Sequence, residues 1–259
     1  MTTRKLHRPI VLALALLAIP ATASASGWSW SLTPYAWLTE VNLDVNVNEQ
    51  RVIDGQVDFE DLLDDTDFAL MLHLEGRRGN HGLFADLYTV DLGDEPRIIQ
   101  RPNLPFPIQA ESDLELTIIE LGGVYYPGGE GGKFGIAYGV RMIDADQEID
   151  ILLVGGLPTD RRVVDVTSTL YDGLLGVRYR TTYDSGWSFA FWGDVAAGGT
   201  DFTWSAAGVV GYDFGQRDQY AIRFGYRALE FQFEEDAQRA KVETDLTMSG
   251  PVLGFTFRF

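Results

Sequence analysis

Two histidines follow residue 26, His73 and His81. His73 lies two residues before Glu75, so both share one face of an extended strand. A histidine beside a carboxylate is the minimum for a general base. No serine or aspartate motif singles itself out near either histidine, so His73 reads as a member of an ion-pair network and no catalytic residue is assigned. A larger charged group runs through segments of alternating polarity. It holds the carboxylates Glu75, Asp86, Glu120, Asp172 and Asp194, and the arginines Arg141, Arg178, Arg180, Arg223, Arg227 and Arg258. On one shared, enclosed face these charges would pair, because an unpaired buried charge is costly. The same arginines would also suit a constriction that favours small anions. An acidic run (Asp58, Glu60, Asp61, Asp64, Asp65, Asp67) offers oxygen ligands for Ca²⁺ or Mg²⁺. Its spacing is not that of a calcium loop and it lacks the loop's glycine, so a solvated segment is expected, with no metal and no cofactor. Phe59, Leu62, Leu63 and Phe68 give that run a short amphipathic character.

Composition narrows the classes. The chain has 259 residues, 46% hydrophobic and 22% charged, which excludes wholesale disorder. Twenty Lys plus Arg stand against 38 Asp plus Glu, a net charge of −18. So acidic a chain is a poor nucleic-acid binder. The absence of cysteine excludes disulfides, thiolate metal sites and a cysteine nucleophile. Arg4, Lys5 and Arg8 precede an apolar stretch from Pro9 to Pro20, and Ala21-Thr22-Ala23 and Ala23-Ser24-Ala25 are small-residue cleavage patterns. This is the build of a secretory signal peptide over residues 1–25, followed by one domain over 26–259. Cleavage after Ala25 would raise the net charge to −21, since the removed segment holds three bases and no acids.

What must position the charged group is a set of strands. Period-two alternation recurs throughout, broken by Gly, Asp and Asn clusters. It predicts ten strands, at about 27–45, 67–77, 81–91, 113–127, 132–144, 165–183, 186–196, 200–213, 218–234 and 247–259. Tight turns such as Gly76-Arg77-Arg78-Gly79-Asn80 and Asp184-Ser185-Gly186 alternate with longer connections at roughly 46–66, 92–112, 145–164 and 235–246. Those four connections hold most of the net negative charge. Short turns at one end and long loops at the other match a bacterial outer-membrane barrel. Both termini then lie at the short-turn, periplasmic end, which requires an even strand number. Ten is expected; eight is the alternative if the short-looped pair at 186–213 is misread.

Parity assigns the faces. Tyr220, Ile222, Phe224 and Tyr226 alternate with Ala221, Arg223, Gly225 and Arg227, and strands six, seven, five and ten behave likewise. The polar parity carries His73, Glu75, Asp86, Glu120, Arg141, Asp172, Arg178, Arg180, Asp194, Arg223, Arg227 and Arg258 as a lumen charge network. A soluble β-barrel also alternates, with its apolar face inward. Three features favour lipid. Gly and Ala crowd the polar parity, as a narrow lumen requires. Trp28, Trp30, Tyr125, Tyr126, Phe134, Tyr183, Trp187, Tyr212 and Tyr220 cluster at the short-turn ends as an interfacial girdle. The chain also ends on the alternating run Leu253, Phe255, Phe257, Phe259, the kind of last strand that barrel assembly machinery reads. Two strands alternate imperfectly. A bulge is expected at Pro34, where the apolar parity switches. Near Ala228 the apolar parity switches again, which implies either a second bulge or a strand that has left the bilayer.

The segments Pro34-Tyr35-Ala36-Trp37, Asp58-Phe59-Glu60-Asp61-Leu62-Leu63-Asp64, Asp67-Phe68-Ala69-Leu70-Met71 and Gly82-Leu83-Phe84-Ala85-Asp86-Leu87-Tyr88 resemble those of a broad group of small Gram-negative outer-membrane β-barrel proteins. The resemblance is strongest over about residues 27–92. It implies an all-β, closed antiparallel transmembrane barrel in the outer membrane, and the group carries no agreed activity. The expected partners are outer-membrane lipid and lipopolysaccharide, with the barrel assembly machinery during biogenesis. The expected role is structural or a narrow, low-conductance pore for small solutes. An outer-membrane lipid or peptide hydrolase and a soluble lipocalin-like binder are the alternatives. Divalent ions bridging the acidic run to lipopolysaccharide phosphates are a weaker possibility.

Overall fold

A computed structural model describes residues 27–47, 50–57, 66–93, 97–99, 108–153, 161–237 and 240–259. The predicted signal peptide and the acidic run at 58–65 lie outside the described residues. Thirteen strands are present among the described residues: β1 (Ser29–Trp37), β2 (Glu40–Val47), β3 (Gln50–Val57), β4 (Thr66–Arg78), β5 (His81–Gly93), β6 (Arg97–Ile99), β7 (Ile108–Tyr125), β8 (Phe134–Leu153), β9 (Arg161–Thr182), β10 (Trp187–Gly198), β11 (Phe202–Phe214), β12 (Tyr220–Ala237) and β13 (Ala240–Arg258).

The sheet closes on itself. Neighbours run β1-β4-β5-β7-β8-β9-β10-β11-β12-β13, and β13 returns to β1 with Ser31 opposite Arg258 and Trp37 opposite Val252. Every pairing is antiparallel. The wall therefore has ten strands. The eight-strand alternative fails because β10 and β11 form a true hairpin, paired from Trp187–Tyr212 to Ala196–Thr203. Closure removes the free edges that an open sheet would present. β2 continues β1 along β13 and pairs outward with the additional strand β3, while β6 pairs only with β7. The short turns lie at one end with both described termini. At Gly79 the turn between β4 and β5 needs φ = +58°, which glycine supplies without strain.

The connections expected at 145–164 and 235–246 are not loops for most of their length. β8 runs to Leu153, β9 starts at Arg161, β12 runs to Ala237 and β13 starts at Ala240. The connection expected at 46–66 contains β3, and that at 92–112 contains β6 and the start of β7. Acidic residues fit a strand whose two faces both meet water. The sequence signal was present in Glu148-Ile149-Asp150-Ile151 and Val163-Val164-Asp165-Val166, where alternation and β-branched residues outweigh the charge run. The far end of the barrel is thus drawn out into sheet.

The bulge expected at Pro34 is absent, and of the two readings near Ala228 the bulge is absent as well. The β1–β13 register is constant from Ser31 to Trp37, and β2 keeps the same register along β13. Tyr35 and Trp37 turn inward without any change of parity. Pro34 instead ends the ladder to β4, its last partner being Leu72. Proline has no N–H to continue that ladder, and beyond it the Trp37 N–H meets the Met71 sulfur at 3.1 Å. On β12 the register with β13 is unbroken from Tyr220 to Ala237. Leu229 and Phe231 therefore share the inward face of Arg227, and the lumen there is apolar.

The outward face carries a belt without charge. On β8, Phe134, Ile136, Tyr138 and Val140 are 41–54% exposed, and the first outward charge beyond them is Asp144. On β7 and β12 the corresponding limits are Glu115 and Glu230. Phe134 to Met142 spans about 27 Å along the strand, or about 21 Å along the axis at a tilt near 40°. Tyr171, Leu175, Ile222, Phe224 and Leu253 continue the belt around the wall. Tyr126 is the exception in the expected girdle: it is 5% exposed and faces the lumen, with the Arg77 guanidinium 3.8 Å from its ring centre.

Candidate functional site

Alternation on ten walls brings the inward side chains together in three layers along the axis. The register turns toward the axis all twelve charged residues read from parity. They do not form a single network.

The middle layer is a continuous chain of ion pairs. Asp194 on β10 accepts from Arg141 Nη2 at 2.6 Å. Arg141 on β8 also reaches Glu120 Oε1 on β7 at 2.9 Å. The same oxygen lies 3.5 Å from Arg227 Nη2 on β12. Arg227 Nη1 is 3.3 Å from Asp86 Oδ1 on β5 and donates to the Tyr35 hydroxyl at 2.9 Å. Tyr35 in turn donates to Asp86 Oδ1 at 2.8 Å, and His73 Nδ1 on β4 stands 3.0 Å from Asp86 Oδ2. The chain thus runs from β10 through β8, β7, β12 and β5 to β4, across the interior. Arg141 is fully buried. Charges so enclosed persist only when paired and hydrogen-bonded.

Asp172 departs from that network, although it stands opposite Arg141 in the β8–β9 register. Its carboxylate accepts from the Thr200 N–H at 2.9 Å, from the Thr200 hydroxyl at 2.7 Å and from the Thr203 hydroxyl at 3.2 Å. It anchors the tight β10–β11 connection from inside.

The layer nearer the short turns is looser and mostly cationic. Glu75 lies 3.6 Å from Arg180 and 4.0 Å from His73, and the Tyr126 hydroxyl donates to it at 3.4 Å. Asp213 holds Arg258 at 2.8 Å and Arg223 at 3.8 Å. Arg178 stacks over Phe84, 4.4 Å from the ring centre, with Trp192 at 5.7 Å. Arg77 donates to the carbonyls of Gly129 and Gly132 in the β7–β8 turn. Glycines on the inward parity make room for these rings. A methyl group at Gly122 would come within 2.6 Å of the Phe84 ring.

The third layer, toward the extended end, is apolar. Trp37, Ile118, Leu229, Phe231 and Met248 are each 3% exposed or less, and Met71, Tyr88 and Ile143 pack with them. Apart from Asp213, 3% exposed beneath Arg258, side-chain exposure follows the layers. Arg180, Glu75 and His73 are 33%, 26% and 23% exposed, Arg223 and Asp86 12% and 11%, and Glu120, Arg227 and Arg141 5%, 4% and 0%. Water therefore enters from the short-turn end and stops at the middle layer. The space left there is a cavity of about 110 Å³ that His73, Glu75, Arg178, Arg180, Trp192 and Arg223 help to line.

Parity reasoning missed Tyr35, Arg77 and Asp213. Tyr35 fell on the strand read as bulged. Arg77 and Asp213 sit at strand ends next to turns, although Arg77 shares the parity of Glu75. His81 opens β5 with its ring 5.8 Å from that of Tyr125, away from the lumen.

No family model matches the chain, and no curated protein matches it. Solved structures similar to it are outer-membrane proteins. The outer-membrane protease OmpT from Escherichia coli has a TM-score of 0.45 at 9% identity, over 90% of this chain and 97% of that one. The translocator domain of the autotransporter NalP from Neisseria meningitidis has a TM-score of 0.44 at 10% identity, over 96% and 93%. Ail, the attachment invasion locus protein of Yersinia pestis, has a TM-score of 0.33 at 10% identity, over 90% and 99%. The barrel assignment rests on the closed strand register, which these similarities accompany.

Proposed function

We propose that this chain is an integral barrel of the Gram-negative outer membrane, exported by a cleaved signal peptide, whose lumen is closed in the resting state. The observation that carries the closure is the ion-pair chain from Asp194 to His73, with Arg141 fully buried and an apolar layer packed beyond it. The charge-free outer belt supports the membrane reading, since an apolar surface of that extent is not left to water. The outward residues Leu253 and Phe257 of β13, with Phe255 and Phe259, are where the assembly machinery would read the last strand. The role is structural: a sealed wall that carries an acidic sheet beyond the bilayer. His73 and Glu75 act in lumen packing, and no catalytic role is assigned to them.

Planar-bilayer recording of the refolded chain tests the closure. The expected result is insertion without discrete openings. Discrete openings whose ion selectivity shifts in Arg223→Ala would replace the sealed barrel with a narrow anion pore.

A further inference from the structure

We propose that the blind vestibule at the short-turn end binds a small organic carboxylate. This rests on the barrel reading but not on the seal. Four arginines (Arg178, Arg180, Arg223 and Arg227) line the cavity against two carboxylates, Glu75 and Asp86. A local surplus of two positive charges in a chain of net charge −18 is unlike its surroundings. The pairs that do form leave donors over. Arg223 Nε donates to Thr256 at 2.9 Å and Nη1 to Ser188 at 3.4 Å, but Nη2 is buried without a hydrogen-bond partner. Its nearest carboxylate oxygen, on Asp213, is 3.8 Å away and is itself held by Arg258. Arg223 lines the cavity, so a small shift of its side chain would bring that donor to an anion held there, and a guanidinium presents two parallel N–H groups suited to a carboxylate.

The walls define the rest of the ligand. Trp192, Tyr126, Val209 and Val252 line the cavity beside the arginines. The Arg178 guanidinium lies over Phe84, 4.4 Å from the ring centre, and Arg178 also lines the cavity. A cavity of about 110 Å³ is smaller than the space of about 150 Å³ that admits benzene in an apolar core. The ligand is therefore a short-chain monocarboxylate, with its head between Arg223 and Arg178 and its body against Trp192. The middle layer blocks passage, so it enters and leaves by the short-turn end.

Isothermal titration of the refolded full barrel in micelles, with an empty-micelle blank, tests this with acetate, butyrate and inorganic phosphate. Saturable binding of a carboxylate is expected. Arg223→Gln and Arg178→Gln should each weaken it about tenfold or more, whereas Arg217→Gln, in the exposed β11–β12 turn, should leave it unchanged. Heat-modifiable gel mobility shows that each variant is folded, and if one arginine variant does not fold the other carries the test. Tighter binding of phosphate than of either carboxylate overturns the ligand class. No saturable binding, or binding unaffected by both arginine variants, overturns the site. Failed binding beside an electrically silent barrel would leave the closure standing.

Discussion

Replacing Arg141 with methionine is expected to destabilise the barrel by about 3–5 kcal/mol, the usual loss when one partner of a buried ion pair is removed. Arg141 is fully buried and holds two carboxylates, Asp194 at 2.6 Å and Glu120 at 2.9 Å. Glu120 keeps Arg227 at 3.5 Å in the variant, but Asp194 loses its ion-pair partner. The damage is therefore not the loss of attraction alone. It is chiefly the desolvated charge left behind. This has a diagnostic consequence. Arg141→Met combined with Asp194→Leu removes the stranded charge and should recover most of the loss, because a buried pair exchanged for apolar residues is often nearly neutral. Reversible denaturant unfolding of the two variants and the wild type measures both effects. If Arg141→Met alone lies within about 0.5 kcal/mol of wild type, the range of an ordinary surface change, the middle layer is hydrated and the lumen is not sealed there.

The second large effect is on the outside. Tyr138 is 54% exposed, near the middle of the charge-free stretch from Phe134 to Met142. On a protein surrounded by water, Tyr138→Arg would change stability by no more than about 0.5 kcal/mol. In a bilayer it should lose about 2–4 kcal/mol, since arginine then faces hydrocarbon near the midplane. Thr167 also points outward, but it pairs with Asp146, past the edge of the belt. Thr167→Arg should therefore be close to neutral in the same lipid. The pair of variants, unfolded from the same vesicles, separates lipid exposure from general intolerance of arginine. Equal effects at both positions would contradict the membrane reading.

Much of this molecule was legible because a barrel wall obeys a period of two. Arg141 and Asp194 could be placed on the inner face from their neighbours Val140 and Val195 alone. Strand number followed from counting turns. Parity cannot tell which inward charges meet, since that depends on register between strands distant in sequence. Asp172 shows this: its parity is that of the network, yet Thr200 and Thr203 take its carboxylate. Tyr35 and Trp37 show a different failure. The switch of apolar parity at Pro34 suggests a bulge, but the register is continuous and both aromatics face inward. The structure uses them to close the lumen, with Arg227 lying 4.9 Å from the Trp37 ring centre. Leu229 and Phe231 fill the space beyond for the same reason. At the extended ends the acidic run suggests a loop, but alternation prevails and Glu148 to Ile151 lie within β8.

The absence of cysteine makes the central claim directly testable. Single cysteines can be placed at Ala190, which lines the vestibule, and at Leu229, fully buried in the apolar layer. A charged, membrane-impermeant thiol reagent is then applied to the short-turn side of the barrel in proteoliposomes. Ala190→Cys should react, and Leu229→Cys should not. Reaction at Leu229→Cys at the rate seen for Ala190→Cys would mean an open lumen, and the sealed barrel would be wrong.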